Sequence, residues 1–314
     1  MTLRRLNIRT PFRPEDDRSA RLPRTALAFA FDAEYVEPFH VMIYSLARAN
    51  TLLDCPIYIY SNDPAVQDDP IVRLVTDRFR VIEGADLAEL EDVSENHIER
   101  PERAKWNRGT CLKWSIFDEA PVDQLLFLDV DMLCLRPLEG LLSLHPKAAI
   151  VSCPQFQRTM VSSGEGRSRQ LDTKKRLLEL INRRSAYMGR INSGLMLVRK
   201  PLLSRSFRKT LLAFAKSRSE INEQSHLTNL FRDPKHRRSF PSAMVSSSYN
   251  FQENYLDLVD RIDAMELMRR VRVLHYAGSQ KPWRAKGPNR ARATMQLWQQ
   301  VREAFEEDRM AADA

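Results

Sequence analysis

An apolar run that ends in two acidic residues constrains the fold more than any other part of this sequence. Residues 125–128 read Leu-Leu-Phe-Leu and predict a buried strand, and Asp129 and Asp131 follow where that strand should leave the core. In extended chain, side chains at i and i+2 point the same way, so both carboxylates can reach one cation. Strand carboxyl ends are also where α/β sheets bind ligands. A polar turn, in which Asp is common, is the simpler interpretation of the pair.

Strands and helices alternate along the first half of the chain. Thr25–Phe31 and Ile57–Tyr60 are predicted strands, and apolar residues recur at helical spacing between positions 36 and 46. Trp106–Glu119 is a predicted helix, which Pro121 ends just before the acidic strand. Because strands alternate with helices, we expect an α/β protein with a mainly parallel, doubly wound sheet that binds ligands along one edge.

Composition divides the chain into three parts. Residues 1–24 are rich in Arg and interrupted by Pro, and we expect a flexible N-terminal tail. Residues 25–290 are predicted to form a single domain, and residues 291–314 a C-terminal helix and tail. Within the domain, the polar and basic segment 158–190 is interpreted as an excursion from the sheet that forms a lid or contacts substrate. A solvated charged face would explain that segment equally well.

The charge balance favours an anionic partner. The net charge is +8 and the isoelectric point is near 9.4, which fits a nucleotide, a phosphorylated glycan or an anionic membrane surface. The basic residues are spread along the chain, so we do not expect a nucleic-acid partner.

Cysteine usage and the lack of long apolar runs predict the compartment. The four cysteines contain no C-x-x-C pair and are interpreted as reduced, buried thiols: Cys55, Cys111, Cys134 and Cys153. No signal-peptide core and no run of about 18 apolar residues is present. We therefore expect a cytoplasmic protein that can contact the inner membrane only peripherally.

A second group of polar residues follows the predicted late strand Val271–His275. Residues 275–283 read His-Tyr-Ala-Gly-Ser-Gln-Lys-Pro-Trp. A neutral imidazole together with the two carboxylates suits Mn²⁺ or Mg²⁺, especially where a diphosphate supplies further oxygens. Lys281 can carry a positive charge to that diphosphate, and Gly278 lets the backbone approach a phosphate closely. The simpler alternative is a strand-end histidine with no ligand.

These motifs resemble glycosyltransferase family 8, which includes glycogenin and bacterial lipopolysaccharide galactosyl- and glucosyltransferases. The resemblance rests on the Asp-Val-Asp run and the His-to-Trp stretch, in this order, and it spans roughly residues 25–284. Three further stretches are similar to the family in the right order: Ala30–Tyr35, Lys113 and Asn192–Leu197.

The resemblance implies an A-type glycosyltransferase fold with a nucleotide-sugar site at the strand carboxyl ends. It also implies metal-dependent, anomer-retaining transfer of a hexose from a nucleotide diphosphate sugar, expected to be a UDP-sugar, to a glycan or a lipid-linked saccharide. Carried over by position, the expected metal ligands are Asp129, Asp131 and His275. The expected donor-binding residues are Ala30, Asp32, Tyr35, Lys113, Asn192, Gly278 and Lys281, and the expected catalytic residues are Lys113, Glu223 and Gln224.

One departure from the family pattern leaves a second function open. Glu223-Gln224 stands where the family has an Asp-Gln pair near the donor sugar, and the longer Glu side chain would shift the sugar contacts. A non-catalytic nucleotide-sugar-binding protein is compatible with that change.

A phosphohydrolase of the haloacid dehalogenase type also begins with a strand ending in Asp-x-Asp. That class needs Thr or Val at the fourth position and a later acidic pair. Here Leu133 follows Met132, and the pair Asp68-Asp69 lies upstream. The phosphohydrolase is therefore the less favoured alternative.

Overall fold

A seven-stranded sheet organises the protein, and a three-stranded sheet extends it. The computed structural model describes residues 23–95, 109–156, 166–182, 189–218, 222–286 and 292–313. The strands within these ranges are β1 Thr25–Ala30, β2 Ile57–Ser61, β3 Arg78–Val81, β4 Gln124–Leu128, β5 Met132–Cys134, β6 Ile150–Pro154, β7 Ile191–Arg199, β8 Ser242–Met244, β9 Phe251–Gln252 and β10 Val273–His275.

The large sheet has the order β3-β2-β1-β4-β7-β6-β8. Strand β7 runs antiparallel to both of its neighbours, and the other strand pairs of this sheet are parallel. The predicted α/β class with a mainly parallel sheet is therefore confirmed. The small sheet has the order β5-β10-β9, and its antiparallel β5–β10 pair sets His275 opposite Met132.

Helices cover both faces of the large sheet. They are α1 Val36–Arg48, α2 Pro70–Val75, α3 Gly84–Glu95, α4 Glu139–Leu142, α5 Gly166–Asn182, α6 Arg205–Lys216, α7 Glu223–Arg232, α8 Pro234–Ser239, α9 Arg261–Met268 and α10 Ala293–Asp313. None of the helices in these described ranges is long and apolar enough to cross a membrane.

Two apolar layers form the core, one on each face of the large sheet. Alternate residues of β4 enter different layers: Leu126 and Leu128 enter one, and Leu125 and Phe127 enter the other. Because both faces are covered, the central strands are continuously apolar and do not alternate with polar residues. This burial explains why the 125–128 run predicted a strand so directly.

The C-terminal helix α10 packs against α1. Phe305 lies in the core, and the Tyr44 hydroxyl donates a 2.7 Å hydrogen bond to Asp308. The helix continues to Asp313, through the acidic residues that follow Phe305. Burial of its apolar stripe outweighs the acidic character of its last turns.

The predicted helix Trp106–Glu119 is only partly right. Residues 106–108 lie outside the described ranges, and Leu112–Ile116 forms a 3₁₀ helix that ends at Phe117, whose ψ is 66°. The spacing of the apolar residues predicted a longer α-helix. In the structure Lys113 and Ser115 are buried as well, so this segment has no polar face.

All four cysteines are free thiols. Cys111, Cys134 and Cys153 are buried and Cys55 is half-buried. Burial raises the pKa of the Cys55 thiol to about 12, so this thiol is protonated near neutral pH.

Candidate active site

The carboxyl ends of β1 and β4 bring the acidic residues together. These strands are parallel neighbours in which Ala28 is paired with Phe127, so the chain leaves both strands at the same edge of the sheet. Asp32 follows β1, and Asp129 and Asp131 follow β4. The backbone N–H of Asp129 donates a 2.8 Å hydrogen bond to the Gly194 carbonyl of β7, which fixes the start of the acidic run.

Asp129, Asp131 and His275 form a compact group of possible metal ligands. Ligand atoms of the three side chains all lie within 4.8 Å of one another. The His275 Nε2 atom lies 3.2 Å from Asp131 Oδ1 and 3.9 Å from Asp129 Oδ2. Ligands around an octahedral cation with bonds near 2.1 Å lie roughly 3 Å apart when adjacent, so these separations fit one Mn²⁺ or Mg²⁺.

The imidazole of His275 is oriented for this role. Its Nδ1–H donates a 2.8 Å hydrogen bond to Oδ1 of Asn250, and both residues are buried. This tautomer leaves the lone pair of Nε2 facing the two carboxylates. A buried partner of this kind is the usual way in which proteins fix a metal-ligating histidine.

Gly194 on β7 makes room for the histidine. A Cβ atom built on Gly194 would lie 2.7 Å from His275 Cε1 and 2.8 Å from the Met132 side chain. These contacts are too short to tolerate, so any larger residue would push the imidazole away from the carboxylates.

We expect Gly194→Ala to weaken Mn²⁺ binding by roughly 10- to 100-fold, because displacing an oriented ligand costs this much in metal sites. Isothermal titration with MnCl₂ measures the effect. Gly140→Ala is the matched control, because the nearest atom to its added Cβ would be the Tyr249 hydroxyl at 3.8 Å. Equal Mn²⁺ affinities of the two variants would show that His275 does not hold the metal.

Two buried lysines neutralise the carboxylates. Lys113 Nζ lies 2.9 Å from Asp129 Oδ1, and Lys281 Nζ pairs with Asp131 and donates a 2.8 Å hydrogen bond to the Tyr276 carbonyl. Burial by itself lowers the pKa of Lys113, but Asp129 and Glu223 outweigh it, so the pKa is raised and the ammonium is retained.

The ionisation of Asp131 has an equally clear cause. Burial by itself raises the pKa of this carboxyl, yet the ammonium of Lys281 and the contact with His275 outweigh burial and hold the pKa well below its usual range. Asp131 is therefore a carboxylate at neutral pH and is available to a cation.

Glu223 begins helix α7, where Asn222 caps the helix by accepting a hydrogen bond from the Ser225 N–H. The Glu223 side chain is only 1% exposed; its Oε1 accepts a 2.8 Å hydrogen bond from Ser193 and lies 3.6 Å from Lys113 Nζ. Its Oε2 has no hydrogen-bond partner in the part of the chain described. A helix start favours a carboxylate, and the unpaired oxygen is free to accept a ligand hydroxyl.

A cavity of about 370 Å³ opens over these groups. Its wall includes the metal-ligand group, both lysines, Glu223 and Gln224, and also Ala30, Asp32, Tyr35 and Gly278. Asn192 is the predicted site residue that does not line this cavity; it is completely buried, and its Oδ1 accepts a hydrogen bond from the Gly194 N–H. The cavity thus brings together every other residue that the sequence placed in the site.

One end of the cavity is shaped by the turn after β1. Asp32 caps the 3₁₀ turn Ala33–Tyr35 by accepting a hydrogen bond from the Glu34 N–H. Burial raises the pKa of Asp32, although that hydrogen bond opposes the rise. Tyr35 packs edge-on against Trp283 with ring centroids 5.6 Å apart, and Arg284 pairs with Glu34 at 2.8 Å.

Several residues that support the site were missed from sequence. Asn250 orients His275, and Ser193 links Glu223 to Lys113. From α10, Gln299 donates a 2.9 Å hydrogen bond to the Pro282 carbonyl, and Trp298 packs against Trp283. No local pattern marks Asn250 or Gln299, because their roles depend on pairing across the fold.

Comparison with known proteins gives the family. The model of Glycosyl transferase family 8 matches residues 26–287. The chain belongs to glycosyl transferase family 8. Members of this family are hexosyltransferases, and the predicted family is confirmed.

Solved structures of family 8 enzymes share the fold. The glycosyltransferase GlyE of Streptococcus pneumoniae TIGR4 is 18% identical with a TM-score of 0.57, and the match covers 92% of this chain and 64% of GlyE. This chain thus spans less than two thirds of GlyE. The galactosyltransferase LgtC, solved with donor and acceptor sugar analogues, is 18% identical with a TM-score of 0.53, covering 89% of this chain and 95% of LgtC. These matches confirm the A-type glycosyltransferase fold. A search of curated protein sequences found no match.

Proposed function

We propose that this protein is a metal-dependent, anomer-retaining hexosyltransferase that uses a nucleotide diphosphate sugar, with UDP as the nucleotide. The acceptor is a glycan or a lipid-linked saccharide. The observation that carries the proposal is the convergence of Asp129, Asp131 and His275 on the wall of one cavity with Lys281 and Glu223. These are the residue types that hold a cation, a diphosphate and a sugar.

The charged groups of the site indicate how it would act on a nucleotide diphosphate sugar. A nucleoside diphosphate that leaves the sugar gains negative charge at its terminal phosphate. Mn²⁺ or Mg²⁺ held by Asp129, Asp131 and His275 would supply a Lewis acid for those oxygens. Lys281, paired with Asp131, would offer a point charge to the same oxygens, and Lys113, paired with Asp129, would add a second.

The lysines also pair with both carboxylates of the metal-ligand group before the donor binds. Each ammonium contacts one carboxylate of the metal group, so neither carboxylate is unpaired while buried. With a cation held by Asp131, the Lys281 ammonium would be able to pair with a donor diphosphate. Each buried ion would then keep a partner of opposite charge.

The geometry also bears on the alternatives. A phosphohydrolase would use one Asp as a nucleophile, but both carboxylates here are paired with buried cations. A non-catalytic binder would need the same donor contacts, so only turnover separates it from the transferase.

The experiment is a donor panel. UDP-glucose, UDP-galactose and UDP-N-acetylglucosamine are incubated with the protein and Mn²⁺, and UDP release is measured with and without added saccharide acceptors. Metal-dependent UDP release supports the proposal. Donor binding without release under any condition would favour the non-catalytic binder, and phosphate release from sugar phosphates would favour the hydrolase.

Glu223→Asp is expected to change the preference among these donors. The shorter carboxylate retreats from the sugar and from Ser193, and a misfitted polar contact costs about 1–3 kcal/mol, so kcat/KM ratios should shift about tenfold. Glu303→Asp, at an exposed position of α10, is the control. Unchanged ratios in Glu223→Asp would remove Glu223 from the sugar site.

A further inference from the structure

Two neighbouring helices, α5 and α9, expose large apolar side chains. Ile262 and Met265 on α9 are 73% and 50% exposed, and Leu171 on α5 is 58% exposed. Of the five most exposed large hydrophobic residues in the described ranges, these three lie on adjacent helices. Isolated exposed apolar residues are ordinary, whereas a group of them on one surface marks an interaction site.

The two helices are held side by side by one lysine. Lys174 of α5 pairs with Asp263 at 2.6 Å and with Glu266 at 3.0 Å. Asp263 and Glu266, the acidic side chains of α9, therefore form ion pairs with α5. Leu171 is one turn before Lys174, and Ile262 is one turn before Glu266, so both flank this contact.

The outward side of α9 is basic as well as apolar. Residues 261, 262, 265 and 269 share one helical stripe, on which Arg261 and Arg269 border Ile262 and Met265. All four side chains are exposed, whereas Asp263 and Leu267 on the opposite side are buried. We call the four residues, together with Leu171, the α9 face.

We propose that the α9 face docks on an anionic lipid bilayer. Apolar side chains that enter the acyl boundary and arginines that stay at the headgroups are the combination that interfacial helices use. The arginines complement anionic headgroups, and the overall charge of +8 draws the protein to the same surface. A second copy that packed the same face against this one would place arginines opposite arginines.

The α9 face is also connected to the site by the chain. Arg269–Arg272 is the only stretch between α9 and β10, the strand that ends in His275. Arg272 donates to the Pro137 carbonyl, so this connection is itself fixed to the body of the domain. The docking does not depend on the proposed transfer reaction and can be tested without any substrate.

Flotation with vesicles tests the apolar part. The full chain is mixed with vesicles of phosphatidylcholine alone or enriched in phosphatidylglycerol. We expect binding to the anionic vesicles only, and a decrease of roughly tenfold for Met265→Ser. Met310→Ser is the matched control, because Met310 is 63% exposed on α10. Equal loss in both variants, or no binding by the parent protein, would overturn the proposal.

A charge-reversal pair tests the basic part. The double variant Arg261→Glu and Arg269→Glu should abolish binding to anionic vesicles. The control is the double variant Arg237→Glu and Arg238→Glu on α8, which changes the net charge equally and should keep most of the vesicle binding. Equal losses would assign binding to net charge alone and contradict docking through the α9 face. A dimer that Met265→Ser dissolves, without vesicle binding, would assign the face to a second copy.

Discussion

Asp131→Asn is expected to reduce sugar transfer by about a thousandfold or more and to abolish tight Mn²⁺ binding. The variant removes one carboxylate ligand while keeping the shape of the side chain. It also removes the negative charge that contacts His275 Nε2 at 3.2 Å and Lys281. A bound cation stabilises the leaving diphosphate by several kcal/mol, and each 1.36 kcal/mol is a factor of ten in rate. Turnover with the preferred donor and calorimetric titration with MnCl₂ measure the two effects.

The fold should survive this substitution because two effects on stability oppose each other. Loss of Asp131 leaves Lys281 without its carboxylate, but it also relieves repulsion between Asp131 and Asp129. Lys281 also keeps its hydrogen bond to the Tyr276 carbonyl. Asp68→Asn is the control, since Asp68 is an exposed partner of Arg73. Normal turnover in Asp131→Asn, with an unchanged circular dichroism spectrum, would mean that the acidic pair is only a turn.

The sequence predicted the strands around the site because burial on both sheet faces leaves them continuously apolar. β1, β4 and the late strand were all located, together with the acidic and basic residues that follow them. A side chain at the end of a strand can be placed once the direction of the strand is known. This is why Asp129 and Asp131 could be placed at the ligand-binding edge from the strand alone, whereas Asp32 was placed only by the resemblance to the family.

The parts that could not be predicted depend on pairing between distant segments. β5 has three residues, and it forms only because β10 pairs with it across more than a hundred positions. Asn250 reaches His275 through the parallel pairing of β9 with β10. The spacing around Lys113 resembled a helix because a fully buried 3₁₀ segment also repeats apolar residues every three or four positions.

Lys281→Met is expected to lower kcat/KM for the donor by about 100- to 1000-fold. Methionine keeps most of the aliphatic stem, so the change removes the charge and little else. Lys281 is 8% exposed, pairs with Asp131 and donates to the Tyr276 carbonyl, and these contacts position its ammonium beside the metal group. A preorganised hydrogen-bond donor that faces the charge developing in the transition state contributes a factor of this size to the rate. Steady-state kinetics with varied donor measure kcat and KM separately.

Lys286→Met is the matched control for this prediction, because Lys286 is exposed and lies five residues further along the same segment. We expect kcat to fall as well as donor affinity in Lys281→Met, because the phosphate becomes more negative as the sugar departs. Lys281→Arg should restore only part of the activity, since a planar guanidinium cannot contact Asp131 and the Tyr276 carbonyl in the same geometry. An increase in acceptor KM alone would contradict the assignment. In that case Lys281 would bind the acceptor, and Lys113 and the cation alone would have to bind the diphosphate.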